Sequence, residues 1–170
     1  MKNINLIIPV AMLVLASCSQ AVNSSSQNNQ SDSLARQASL RDSLKGTIQI
    51  QPVIKANAPV TLTFTVKNES DAPKTFCKWH TPFEPFISKY LDITDMDGNE
   101  IAYKGAMAKR VMPPPADSYI AVKANDSTSI SVDLLKGYDV LPGKSYTVKY
   151  VGSGLSGLKV SQLVTFRYEN

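Results

Sequence analysis

Val60-Thr61-Leu62-Thr63-Phe64-Thr65-Val66-Lys67 is the stretch that decides the fold. Apolar residues occupy every even position and polar ones every odd position. Successive side chains of a strand point to opposite faces, so a period of two describes a strand with one buried and one solvated face, as in antiparallel sheets. A helix would return its apolar face every three or four residues. Working outward, Thr47-Ile48-Gln49-Ile50 alternates in the same way. Ile130, Val132 and Leu134 alternate with Ser129, Ser131 and Asp133, and Tyr146, Val148 and Tyr150 with Ser145, Thr147 and Lys149. Val160, Val164, Phe166 and Tyr168 share one parity near the C-terminus.

Turn-forming clusters separate these runs: Asn57-Ala58-Pro59, Asn68-Glu69-Ser70-Asp71, Asp97-Gly98-Asn99, Asn125-Asp126 and Pro142-Gly143. Eight or nine short strands at such spacing predict an all-β domain over residues 46–170, an immunoglobulin-like antiparallel β-sandwich, with a small closed barrel as the alternative. No stretch carries a helical period; Leu134 to Tyr138 is long enough for one short turn.

The chain has 170 residues, 18 basic and 14 acidic, and a formal charge of +4. That length holds one domain plus tails. The basic residues form no dense run or stripe, so no nucleic-acid partner is expected. The first residues do carry a pattern. Met1-Lys2-Asn3 precedes an apolar stretch from Ile4 to Ala16, too short for the roughly 20 residues that span a bilayer as a helix. Residues 1–17 read as a secretory signal peptide. Leu15-Ala16-Ser17-Cys18 resembles the bacterial lipobox, which implies lipidation of Cys18, cleavage before it and acylation of the new amino group. Acyl chains such as palmitate, at ~0.8 kcal/mol per buried methylene, give a stable membrane anchor. Ser19 follows Cys18, and the resemblance then implies an outer-membrane lipoprotein of the bacterial envelope. Of residues 19–45, 15 are Ser, Gln or Asn. Such a segment has too little apolar area to offset chain ordering, so residues 18–45 read as a flexible, disordered tether.

Chemistry-bearing patterns are few. Cys77-Lys78-Trp79-His80 has half the spacing of a zinc site, but a structural site takes four ligands and a catalytic one three, and His80 is the chain's single histidine. Asp95-Met96-Asp97-Gly98 fails as a calcium loop, because Ile93 and Lys104 would occupy its first and twelfth positions; it reads as a hairpin turn. A serine triad would need His80 as base, and no nucleophile-elbow motif is present. Gly152-Ser153-Gly154-Leu155-Ser156-Gly157 precedes no phosphate-binding helix and reads as a flexible loop. No catalytic residue, metal or cofactor is assigned, and the chain is expected not to be an enzyme.

The least generic residues lie in the middle: Trp79, His80, Phe83 and Glu84, then Lys109, Arg110 and Pro113. Aromatic and proline groups flanked by basic side chains make a peptide-docking surface. For Trp79 a core position on the third strand of an immunoglobulin-like sandwich is the competing reading.

Lys78-Trp79-His80-Thr81-Pro82-Phe83-Glu84, the Tyr103-x-Gly105 step, Lys109-Arg110 followed by Pro113, and Asp117-x-Tyr119 together resemble the non-catalytic N-terminal domain of deuterolysin-like zinc metallopeptidases, which include peptidyl-Lys endopeptidases. Asp133-Leu134, Tyr138-Asp139 and Pro142-Gly143-x-x-Tyr146-x-Val148 extend the resemblance over residues 47–151. In that family the zinc sits in a downstream domain bearing His-Glu-x-x-His, a motif this chain lacks, so no catalytic residue carries over. The resemblance implies a lipid-anchored accessory or pro-domain without its enzyme: a binding module for a metallopeptidase, as inhibitor, chaperone or tether. A structural or adhesive envelope lipoprotein, and an enzyme using a carboxylate site, are the alternatives.

Overall fold

The computed structural model describes residues 44–170. The signal peptide, Cys18 and residues 18–43 of the tether lie outside the described residues. Nine strands follow: β1 (Leu44–Ile50), β2 (Val53–Ile54), β3 (Thr61–Asn68), β4 (Lys74–Cys77), β5 (Leu91–Asp95), β6 (Tyr119–Val122), β7 (Ser127–Asp133), β8 (Lys144–Tyr150) and β9 (Leu163–Tyr168). They form a three-stranded sheet β1-β3-β7, a four-stranded sheet β2-β9-β8-β5 and a separate pair β4-β6. These are open sheets of a sandwich, not a closed barrel. Leu44 and Lys45, assigned to the tether by the boundary at Gly46, belong to β1. Leu44 is buried and opposite Asn68, and that pairing extends the strand beyond the alternating sequence.

The parity read from the sequence sets the core. Val60, Leu62, Phe64 and Val66 have no exposed surface, and Tyr146, Val148, Phe166 and Tyr168 are buried opposite them in the second sheet. The odd side chains of β3 face solvent, where Thr63 and Thr65 share hydroxyl hydrogen bonds of 2.9 and 2.8 Å with Ser131 and Ser129 of β7. Antiparallel register accounts for these pairs, since opposed residues share a face. Between β1 and β2 the chain changes sheets at Gln51-Pro52. Pro52 has no N–H to continue a ladder, while its carbonyl accepts from Arg167 N–H at 2.8 Å and starts the parallel pairing with β9.

Two polar fixtures hold the ends of the sandwich. The Tyr146 hydroxyl accepts from Leu141 N–H (2.9 Å) and donates to Leu141 C=O (2.8 Å), the tyrosine corner typical of strand F in immunoglobulin-like folds. Asn68 was legible only as a turn residue, yet it is wholly buried. Its amide nitrogen faces the carbonyls of Ala72, Val122 and Lys123 at 2.8–3.1 Å, and its oxygen accepts from Ser70 N–H and hydroxyl. It thereby ties the end of β3 to the β6–β7 connection. The short turn expected within Leu134 to Tyr138 is present as a 3₁₀ turn at Leu134–Lys136, capped by the Asp133 carboxylate, which accepts from Leu135 N–H.

Candidate functional site

Two connections are long and carry little regular structure: residues 78–90, between β4 and β5, and residues 96–115, between β5 and a 3₁₀ turn at Ala116–Ser118. Connections of this length usually have a role of their own. They leave opposite ends of β5 and pack on each other. Thr81, fully buried, organises the first: its hydroxyl donates to Lys78 C=O at 2.6 Å and accepts from Phe83 N–H at 3.1 Å. His80 (φ 56°) and Phe86 (φ 58°) lie in the left-handed region, a conformation uncommon for histidine and strained for phenylalanine. Phe86 fits because residue 137 is glycine: a Cβ there would stand 2.0 Å from its ring. The Phe86 ring stacks on Tyr90 and meets the edge of Tyr138.

The second connection is fastened onto the first. Ala106 N–H donates to Phe86 C=O (2.8 Å), Ala108 N–H to Ile87 C=O (3.0 Å), and the Tyr103 hydroxyl to Ala106 C=O (3.0 Å). Arg110 closes the joint. Its guanidinium carbon sits 4.7 Å from the Trp79 ring centre, and Nη2 donates to Glu84 Oε2 at 2.5 Å. Both partners of this ion pair are mostly shielded, with 17% and 13% of their side-chain surfaces exposed. A planar cation over the indole face and a carboxylate at its edge, both shielded, combine a cation–π contact with a charge-assisted hydrogen bond. His80 is half-buried beside it. Burial, and then the Arg110 charge, push its imidazole below its ordinary pKa, against the opposing pull of Glu84.

The expected binding surface therefore divides. Trp79, His80, Glu84 and Arg110 come together as one clamp. Trp79 is buried, as the competing reading held, but it lies in a turn after β4 and not on the strand that pairs with β8. Phe83 is half-buried: its ring meets Phe64 and Phe76 edge-on, at 6.2 and 5.3 Å, and packs the loop against the core. Lys109 and Pro113 are exposed. The sequence reading missed Met107, Val111 and Met112, which are 70%, 82% and 60% exposed on the same segment. It also missed the support beneath His80. The glycine-rich segment expected to be a flexible loop is a helical turn, α1 (Ser153–Ser156). Its Ser156 hydroxyl shares a hydrogen bond with the Tyr150 hydroxyl, which donates to His80 C=O at 3.0 Å. Burial pushes the Tyr150 phenol up to about 12.

The carboxylates near Gly98 are engaged locally. Asp95 accepts from Asp97 N–H, Asn99 N–H and the Asn99 amide, and Asp92 pairs with Lys89 at 2.8 Å. Cys77 is a buried free thiol within β4. No group of three or more His, Cys, Asp or Glu side chains converges among the described residues.

Two open sheets, a tyrosine corner and a site built on the connections flanking β5 define an immunoglobulin-like sandwich. The chain belongs to the immunoglobulin-like domain family, which matches residues 47–154 and so includes both connections. It is 28% identical over 108 residues to an uncharacterized secreted protein of Arthroderma benhamiae, a match covering 61% of this chain and 55% of that protein. It is 26% identical over 92 residues to an extracellular protease of Aeromonas hydrophila, covering 54% of this chain and 26% of the protease. The chain thus matches about half of one relative and a quarter of the other.

Proposed function

We propose that this chain is a non-catalytic binding module of the cell envelope or extracellular space. It is held at a bacterial outer membrane through lipid on Cys18 and docks on a peptidase of the deuterolysin type through the surface around Lys109 and Arg110. The observation that carries the reading is the clamp itself. Arg110, Trp79, Glu84 and the strained turn at His80 fix an otherwise irregular segment and leave Lys109, Val111 and Met112 facing solvent. A segment fastened in one conformation costs less entropy to bind than a mobile one, which is what a docking surface needs. The similarity to part of an extracellular protease supports a peptidase as the partner. The names of both relatives favour a location outside the cytoplasm.

The test is a crosslinked capture from the native envelope and culture fluid, with the tagged full chain as bait. Recovery of a metallopeptidase, lost when Lys109 and Arg110 are both changed to Ala, is the expected result. Recovery of envelope structural components alone would replace the peptidase reading with an anchored scaffold. Metabolic labelling with a fatty acid, abolished by Cys18→Ala, checks the anchor.

A further inference from the structure

We infer that residues 106–113 form a substrate-like loop, which enters the cleft of a peptidase selecting a basic side chain and presents Lys109 to its specificity pocket. The inference rests on the peptidase reading above and narrows it to one loop and one kind of cleft.

Four observations point the same way. First, Lys109 is exposed, and its ammonium has no ion pair or hydrogen bond among the described residues, whereas Lys104 pairs with Asp139 and Arg110 with Glu84. Second, the chain is fastened on both sides of Lys109, by a backbone bond before it and by a side chain after it. Ala108 N–H is bound to Ile87 C=O before it, and Arg110 is locked onto Trp79 and Glu84 after it. Third, the flanking side chains point outward although they are apolar: Met107, Val111 and Met112 are each at least 60% exposed. Peptidase subsites are shallow apolar grooves on either side of a specificity pocket, and this run of Met, Lys, Val and Met offers one side chain after another to them. Fourth, Pro113, Pro114 and Pro115 follow directly, and their rings fix φ at three successive residues.

Fastening on both sides has a chemical consequence. If the peptidase adds water across the Lys109–Arg110 amide, the hydroxyl goes to the Lys109 carbonyl carbon and the proton to the Arg110 nitrogen. The two new ends do not separate. Ala108 stays tied to Ile87, and Arg110 stays clamped by Trp79 and Glu84. The amine remains beside the carboxylate, re-formation competes with release, and the loop occupies the cleft without rapid turnover. The same sequence on a free peptide would be an ordinary substrate.

Trypsin is the probe, because its specificity pocket selects basic side chains through a carboxylate. The full chain is expected to inhibit trypsin hydrolysis of a small lysine substrate competitively. Lys109→Ala is expected to weaken inhibition about 100-fold or more, since an unfilled charged pocket is a heavy loss. Arg110→Ala keeps the bait and removes one fastening, so it is expected to speed cleavage at residues 109–110 about tenfold or more. Absence of inhibition by the native chain overturns the inference. So does cleavage between Lys109 and Arg110 as fast as in a free peptide of residues 104–115. The two readings fail separately. Envelope capture of a peptidase that binds Lys109→Ala unchanged removes the loop and keeps the docking. Trypsin inhibition without any peptidase captured keeps the loop and removes the envelope partner.

Discussion

The Arg110 guanidinium lies 4.7 Å from the centre of the Trp79 ring and donates at the same time to Glu84 at 2.5 Å. One side chain thereby joins the connections on either side of β5. Its Nε is buried without a partner, so the joint depends on the stack and on Nη2. Arg110→Ala leaves a shielded carboxylate unpaired and uncovers an indole face, at a cost of about 2–3 kcal/mol. Arg110→Lys keeps the charge but not the planar stack and is expected to restore only part of that loss. Trp79 is the single tryptophan, so its fluorescence reports on the joint directly. Urea titration should rank the chains native, Lys, Ala, with Trp79 emission moving to the red in the Ala chain. Equal stability of all three would mean that the pair contributes nothing.

His80 should make this region sensitive to mild acid. Its folded pKa lies below the ordinary 6.5, mainly through burial and then through repulsion from Arg110. The unfolded chain therefore binds the proton more readily, and stability present above pH 6.5 is lost as the pH falls through the folded value. The lowered carboxylates, Glu69 and Asp95, act further down, below their ordinary 4.5 and 3.8. His80→Asn keeps a residue that tolerates the left-handed backbone and removes the titrating group. The urea midpoint is expected to drop between pH 7.5 and 5.5 in the native chain and to drop less in His80→Asn. Identical drops would place the acid sensitivity elsewhere.

Asn68 offers a sharper contrast between two near-isosteres. Its amide nitrogen faces three carbonyl oxygens, so Asn68→Asp would aim a carboxylate oxygen at all of them. Asn68→Ala only empties the site and leaves those carbonyls without this donor, a loss of about 1–3 kcal/mol. The Asp chain is expected to be the less stable of the two at neutral pH and to recover in acid, where a protonated carboxyl regains one donor. Thermal denaturation at pH 7 and pH 4.5 separates them; an Asp chain equal to native at pH 7 would contradict the buried network.

Asn68 also marks what the sequence does and does not disclose. The alternation of Val60 to Val66 encodes a face, and a face is a local property of a strand, so the sandwich was legible and so was the burial of Phe64 and Val148. Burial of Asn68 depends on carbonyls 54 and 55 residues away, at Val122 and Lys123. Arg110 meets Glu84 across 26 residues, and Tyr150 meets His80 across 70. Such pairings have no period. Composition picked out the right neighbourhood, Trp79 to Glu84 and Lys109 to Pro113, because aromatic, basic and proline residues crowd there. It could not tell Phe83, half-buried against the core, from Lys109, which is exposed. It read Gly152–Gly157 as loose because glycine signals freedom; here two of those glycines serve opposite purposes.

That difference gives the last prediction. At Gly152 a Cβ would stand 1.9 Å from His80 C=O and 2.8 Å from the Tyr150 hydroxyl, so no side chain fits without displacing the turn that carries Trp79 and His80. At Gly154, inside α1, a Cβ would meet nothing within 4 Å. Gly152→Ala is expected to destabilise by about 1–3 kcal/mol through overpacking. It should also shift Trp79 emission, because the Tyr150 bond to His80 C=O and the Ser156 bond to Gly152 C=O are strained together. Gly154→Ala is expected to be neutral or to stabilise by about 0.5–1 kcal/mol, since alanine restricts the unfolded chain and suits a helical turn. Melting curves and emission spectra of the two chains, measured side by side, decide whether the glycine-rich turn supports the clamp. If Gly152→Ala matches Gly154→Ala in both, α1 is a bystander, and the rigidity of the Lys109 loop must come from Phe86, Ile87 and Arg110 alone.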